Sequence, residues 1–242
     1  MSRFNGRRAR LIFERDFQEY RKNKILVIIL IVLAAAAVAC GIGMTNMAGG
    51  QNAPADPVGK QIWVNILGTV MILFAIIPPV ICIPVFATRP LTYEKANGVV
   101  MSLITTETTP AEIWTGKGLA IFLPGLAGTY LAQIIALPFF FSIVPLPATV
   151  LLCSLVIMPL AMYLLSVITV QLSMIKSVDL AISPSYVCGF LLMALFPIGA
   201  ITGLFCPGST AFLLVCLGVL AAVFIAERIL AANTTIEKII LA

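Results

Sequence analysis

Six apolar stretches, each long enough to cross a bilayer, occupy most of this 242-residue chain. They run roughly Ile25–Met44, Ile62–Phe86, Leu119–Phe141, Ala148–Thr169, Tyr186–Phe205 and Ala211–Ala226, and no Asp, Glu, Lys or Arg falls inside them. About 20 apolar residues suffice for a helix to cross the hydrocarbon core. Lipid offers no partner to a bare amide, so runs of this length close their own hydrogen bonds as helices. Barrel strands would alternate with polar positions, and these stretches do not. The expected fold is all-α, a polytopic membrane protein with six transmembrane helices. A composition 61% hydrophobic and 10% charged excludes a soluble domain of this size. Connecting segments are short, so residues 1–242 are expected to form one transmembrane domain. Within it, 1–24 is a cytoplasmic amphipathic helix, 25–226 the six-span bundle and 227–242 a cytoplasmic tail.

The net charge of +5 raises the question of nucleic acid, and the placement of the basic residues answers it. Eight precede the first span: Arg3, Arg7, Arg8, Arg10, Arg15, Arg21, Lys22 and Lys24. Arg89, Lys95 and Lys117 lie between spans two and three, Lys176 between four and five, and Arg228 and Lys238 after span six. With six crossings, fourteen basic residues fall on the side of the N-terminus and Lys60 alone on the other. Basic residues near span ends set orientation, so both termini are expected in the cytoplasm of a multi-pass cell-membrane protein. The basic charge is topogenic, and no nucleic-acid partner is implied.

The six cysteines (Cys40, Cys82, Cys153, Cys188, Cys206 and Cys216) show no Cys-x-x-Cys spacing, and the chain has no His. They are read as small packing residues, with no metal site. Ala37-Val38-Ala39-Cys40 faintly suggests a lipoprotein cleavage site, but the 24 residues before the first span include Glu14, Asp16 and Glu19. That is too long and too acidic for an ordinary secretion signal, so the first span is read as retained.

Before the first span, Ala9, Phe13, Phe17 and Tyr20 form one apolar stripe among charged residues. Such a helix is expected in the interface plane, with cations toward phosphates and aromatics in the acyl boundary. Residues 45–61, rich in Gly, Pro, Asn and Gln, read as an outside loop, and Ser142–Pro147 and Cys206–Thr210 as tight outside turns. Pro78, Pro79, Pro84, Pro124, Pro138, Pro159 and Pro197 fall within spans, where each removes an amide donor and favours a kink.

The longest inside connection, Ala87–Gly118, carries the most information. It opens with Pro90 as a breaker and is expected to run helically from about Thr92 to Thr105, with Val99, Val100, Leu103 and Ile104 at helical spacing. Thr109-Pro110-Ala111-Glu112 then supplies a helix start: Thr109 as N-cap, Pro110 in the first turn, and Glu112 completing a capping box. The expected product is a short amphipathic helix stiffly joined to the third span.

In this order and position, Glu94, Lys95, Gly98, Thr109, Pro110, Gly116 and Lys117 resemble the type-2 ABC-transporter permease family. There the segment often reads like Glu-Lys-Glu-x-Gly-Thr, an apolar helix, Thr-Pro and Gly-Lys. This chain departs at Ala96 and Val99, where an acid and a threonine are usual. The resemblance implies a permease half-bundle that pairs with a second permease subunit, identical or related, and is driven by a separate ABC ATPase subunit that holds ATP and Mg. The segment between spans two and three would be the cytoplasmic coupling helix, with Glu94, Lys95, Gly98, Leu103 and Ile104 contacting the ATPase. Thr109, Pro110 and Glu112 would form the helix joint.

The chain itself offers no engine. Gly116-Lys117 is followed by Gly118, position 111 is alanine, and the pair opens a membrane helix, so no phosphate-cradling loop forms. Ionisable groups at bilayer depth, usual in gradient-driven carriers, are absent from the six cores. Neutral polar residues do occur there: Asn65, Thr69, Tyr130 and Gln133 are the candidate path-lining residues, with Ser154, Tyr163, Ser166 and Thr169 beside them, and helix–helix hydrogen bonding is their other reading. With ten scattered acids and no His, no catalytic residues, metal or cofactor are expected in this chain, and no enzymatic activity. The expectation is an ATP-driven exporter permease for hydrophobic or amphiphilic cargo such as a drug, antimicrobial peptide or lipid-like molecule. The alternative is a stand-alone gradient-driven carrier or channel.

Overall fold

The computed structural model describes residues 5–50, 57–99 and 108–234. Among them the chain is all-helical, and six helices are long and apolar enough to cross a membrane. In chain order these elements are α1 (Gly6–Arg21), α2 (Lys24–Gly50), α3 (Pro57–Ala96), α4 (Pro110–Ile143), α5 (Ala148–Ile175), α6 (Val178–Thr202) and α7 (Thr210–Asn233). Helices α2 to α7 correspond to the six apolar stretches. The protein is a multi-pass membrane protein.

Burial separates the spans into two groups. In α3, 67% of the most apolar stretch is buried, against 11% in α7. Helices α3, α4 and α5 pack on one another as the core, α2 packs on α4, α6 on α3 and α5, and α7 on α5. The outer helices leave Ile28, Ile31, Phe190, Leu191, Leu214 and Ile225 exposed. Large apolar side chains so placed are at no cost when the solvent is lipid rather than water. Two apolar clusters fill the interior. One, built around Met71, Ile72, Phe140, Val150 and Met158, extends to the α6–α7 turn, where Phe196, Phe205 and Phe212 pack ring on ring. The other, at the α1 end, holds Ile12, Tyr20, Phe86, Leu91, Ile113 and Met174.

Two expectations are corrected here. Pro90 does not break the helix: α3 runs through it to Ala96, and the chain turns at Gly98, whose φ of +64° suits glycine and ends the helix. An interior proline disfavours a helix by roughly 3 kcal/mol. Beyond Pro90, however, the extension is held by tertiary contacts: Leu91 is buried and Glu94 is ion-paired. Thr92, Glu94 and Lys95 therefore belong to the end of span two rather than to a separate helix, while Leu103, Ile104 and Thr105 lie outside the described residues.

The second correction concerns α1. Its inward face is Ala9, Ile12, Asp16 and Tyr20, and it packs on α4. Phe13 and Phe17 stack on each other at 5.5 Å and are only partly buried. The stripe read from Ala9, Phe13, Phe17 and Tyr20 is rotated, because an acid in the apolar face finds a buried cation.

The charge split predicts which end faces the cytoplasm. In a Cys206→Ser background, a membrane-impermeant maleimide applied to intact cells should label Val58→Cys, while Gln18→Cys should react only after permeabilisation. Labelling of Gln18→Cys in intact cells would reverse the orientation.

Candidate functional site: an ion cluster where three helices meet

The first two turns of α4 gather most of the polar chemistry at one end of the bundle. Thr109 caps the helix as its spacing predicts: its Oγ1 accepts the Glu112 N–H at 3.3 Å, and Glu112 Oε2 accepts the Thr109 N–H at 2.9 Å. Pro110 occupies the first turn, where no helical partner is lost. The other oxygen of Glu112 accepts the backbone N–H of Asn5 at 2.6 Å, and Asn5 in turn caps α1 through Arg7. One buried carboxylate thus laces the starts of two helices together, satisfying donors that a helix start leaves open.

One turn further on, Gly116 and Lys117 complete the junction. A Cβ at Gly116 would lie 2.6 Å from the Ala9 carbonyl oxygen, so only glycine lets the α1 backbone come this close. The close approach brings Asp16 over Lys117. The Lys117 ammonium, with 2% of its side chain exposed, donates to Asp16 Oδ2 at 2.9 Å and to Glu94 Oε1 at 2.6 Å. Arg15 adds a second cation from the rim, 3.1 Å from both Asp16 Oδ1 and Glu94 Oε1. Two cations and two carboxylates balance, which is what permits Lys117, Asp16 and Glu94 to be buried. Burial alone would lower the Arg15 pKa, but Asp16 and Glu94 hold it above its ordinary value. Burial, with Asp16 and Glu94 nearby, pushes the Tyr20 phenol well up.

Lys95, next to Glu94, donates to the Lys176 carbonyl at 3.1 Å and ties the end of α3 to the α5–α6 connection. The expected ATPase-contact residues are therefore differently disposed. The Glu94 carboxylate is committed inward, against Lys117 and Arg15, rather than displayed on a surface. Lys95 braces a neighbouring connection, and Gly98 sits at the open turn with nothing within 4 Å of a would-be Cβ. Leu103 and Ile104 lie outside the described residues.

The four candidate path residues fall in two places. Asn65 and Thr69 line a groove of about 500 Å³ between α3 and α6, otherwise walled by apolar residues such as Ile62, Leu73 and Pro197. Tyr130 and Gln133 point instead at a π-helical turn, Cys153–Ile157, inside α5. There the Met158 N–H reaches back to the Cys153 carbonyl, leaving the Ser154 carbonyl free. Pro159 has no N–H for the Leu155 carbonyl. Gln133 Nε2 donates to Ser154 O at 3.2 Å and to Met71 O at 3.4 Å, and the Tyr130 hydroxyl donates to Leu155 O at 3.1 Å. Both are helix–helix bonds that repair the two carbonyls the π turn and the proline set free. Ser166 (to Gly118 O, 2.9 Å) and Thr169 (with Ser185, 2.6 Å) likewise bond one helix to another.

Sequence reasoning missed Arg15 and Asp16. The available signal was an acid within an otherwise apolar helix face, since such a group demands a cation on the surface it packs against. Among the described residues no three His, Cys, Asp or Glu side chains converge as metal ligands. Compared with family models, with curated proteins and with solved structures, the chain finds no match in any of the three.

Removing one partner of a buried ion cluster strands the others. Lys117→Met should cost about 3–5 kcal/mol against denaturation in a titration with SDS. The triple variant Lys117→Met, Asp16→Asn, Glu94→Gln should recover most of that loss. A Lys117→Met protein as stable as the parent would show that the cluster holds nothing together.

Proposed function

We propose that this chain is the transmembrane permease subunit of an ATP-driven ABC exporter. It would form the translocation path with a second permease subunit and be coupled to a separate ATPase subunit that binds ATP and Mg. One observation carries the reading. The two ends of the connection between α3 and α4 sit on a single braced base, with Glu94 on Lys117 at one and Thr109 capped by Glu112 at the other. A load applied to that connection by a partner protein reaches both spans at once, with α1 attached through Asp16 and Asn5. Lys95, Gly98, Leu103 and Ile104 serve as the ATPase-facing segment in this reading, and Glu94 positions it. Asn65 and Thr69 in the groove beside α6 fit a hydrophobic or amphiphilic cargo, which needs an apolar wall and few polar anchors.

The reading is tested by purifying the affinity-tagged chain from its native membrane, where an ATPase should copurify and transport in vesicles should require ATP. Leu103→Ala with Ile104→Ala should lower transport-coupled ATP hydrolysis about tenfold, by loss of anchoring side chains, without changing membrane insertion. Sustained uphill solute movement in vesicles holding this polypeptide alone would overturn the proposal in favour of a gradient-driven carrier.

A further inference from the structure

At the α1 end of the bundle, α4, α5 and α7 enclose a cavity of about 380 Å³ that belongs neither to the ion cluster nor to the α3–α6 groove. Trp114, Tyr163 and Phe224 give it aromatic walls, and Glu227 and Arg228 give it opposite charges. The Glu227 side chain is only 12% exposed. Its carboxylate accepts one neutral hydrogen bond, from Gln171 Nε2 at 3.0 Å, and meets Arg228 Nε only loosely, at 3.4 Å. A carboxylate has about four acceptor positions, so Glu227 retains capacity for strong N–H donors in a desolvated, aromatic-walled site. Arg228 stands at its rim, 68% exposed, with its guanidinium 4.9 Å above the Phe224 ring.

Depth completes the argument. Glu227 stands seventeen residues beyond Thr210 in α7, which at about 1.5 Å per residue puts it roughly 25 Å along the helix. That is close to the far boundary of a hydrocarbon core about 30 Å thick. Toward mid-membrane, Leu160 on α5 and Leu217 on α7 are exposed apolar side chains along which acyl chains can lie.

We propose that this cavity binds the headgroup of a zwitterionic phospholipid with a primary ammonium, the ammonium on Glu227 and the phosphate on Arg228. The charge order matches: the inner group is an anion that wants N–H donors, and the outer one a guanidinium suited to phosphate. A choline headgroup brings a cation but no N–H, and a glycerol headgroup brings no cation. Phosphatidylethanolamine supplies both partners. The inference needs only the membrane-spanning bundle and stands apart from the transport reading.

The chain contains two tryptophans, Trp63 and Trp114, so Trp63→Phe makes Trp114 the only indole reporter. The full chain is reconstituted in bilayers doped with acyl-brominated phosphatidylethanolamine, phosphatidylcholine or phosphatidylglycerol, and Trp114 quenching is compared. Quenching several-fold stronger with phosphatidylethanolamine is expected, and Glu227→Gln should remove that preference. Arg228→Gln should reduce it. Equal quenching by all three lipids in the Trp63→Phe protein overturns the proposal without either cavity variant having to fold. So does quenching indifferent to headgroup but relieved by a soluble organic cation, which would make the cavity a cation site. A preference that survives Glu227→Gln in a folded protein also overturns it.

Discussion

The Lys117 ammonium, buried between Asp16 and Glu94, is the contact on which the arrangement of this end of the molecule depends. An ammonium out of water is tolerable only with its counter-charges in place. The two counter-charges come from elements far apart in the chain, α1 and the last turn of α3. Satisfying Lys117 therefore fixes three helices relative to one another. Gly116 is part of the same constraint, because a side chain there would hold α1 away and leave Asp16 short of its partner. Glu112, bonded to both Thr109 and Asn5, sets the same two helices from their first turns. Ion pairs of this kind seldom improve stability over well-packed apolar residues. What they supply is a penalty for every other arrangement.

Deeper in the bundle the organising constraint is different. In α5, a π turn followed by Pro159 releases two carbonyls in a medium that cannot solvate them. Tyr130 and Gln133 on α4 supply the donors, so the irregularity in one helix specifies the register of the next. A slide of α4 along α5 by one turn would orphan both carbonyls together. The core therefore resists sliding at mid-depth as well as separation at the α1 end.

Much of this was legible in the chain and some of it was not, for physical reasons. The six spans follow from composition alone, because length and apolarity are all that lipid requires. The capping box at Thr109 and Glu112 was legible because capping is local: the partners are three residues apart and the geometry is set by the helix. Pro90 misled because its local effect is overridden by tertiary contacts of Leu91 and Glu94 that no nearby residue announces. Asp16 and Lys117 are separated by a hundred residues, and neither reads as paired until α1 is placed. The π turn left only a faint trace, Pro159 with Ser154 a few residues before it, since the donors that make it tolerable sit on another helix.

The division between braced core and loose periphery bears on how such a bundle can move. Helices α3, α4 and α5 are mutually buried: ions tie α3 to α4 at one end, and at mid-depth side chains of α4 bond to carbonyls of α3 and α5. Helices α6 and α7 are mostly exposed, and α6 meets α3 across the groove that holds Asn65 and Thr69. Rearrangement is cheaper where fewer directional bonds must break, and among the described residues no side-chain hydrogen bond crosses the α3–α6 groove. A displacement entering at the α3–α4 connection would be carried by the core as a body and expressed at this groove. Pro197 on α6 stands in the groove wall, and its missing N–H lowers the cost of bending α6 there. On the proposed transport reading, Asn65 and Thr69 would be the polar residues of a moving path, while Tyr130 and Gln133 are occupied in holding α4 to α5.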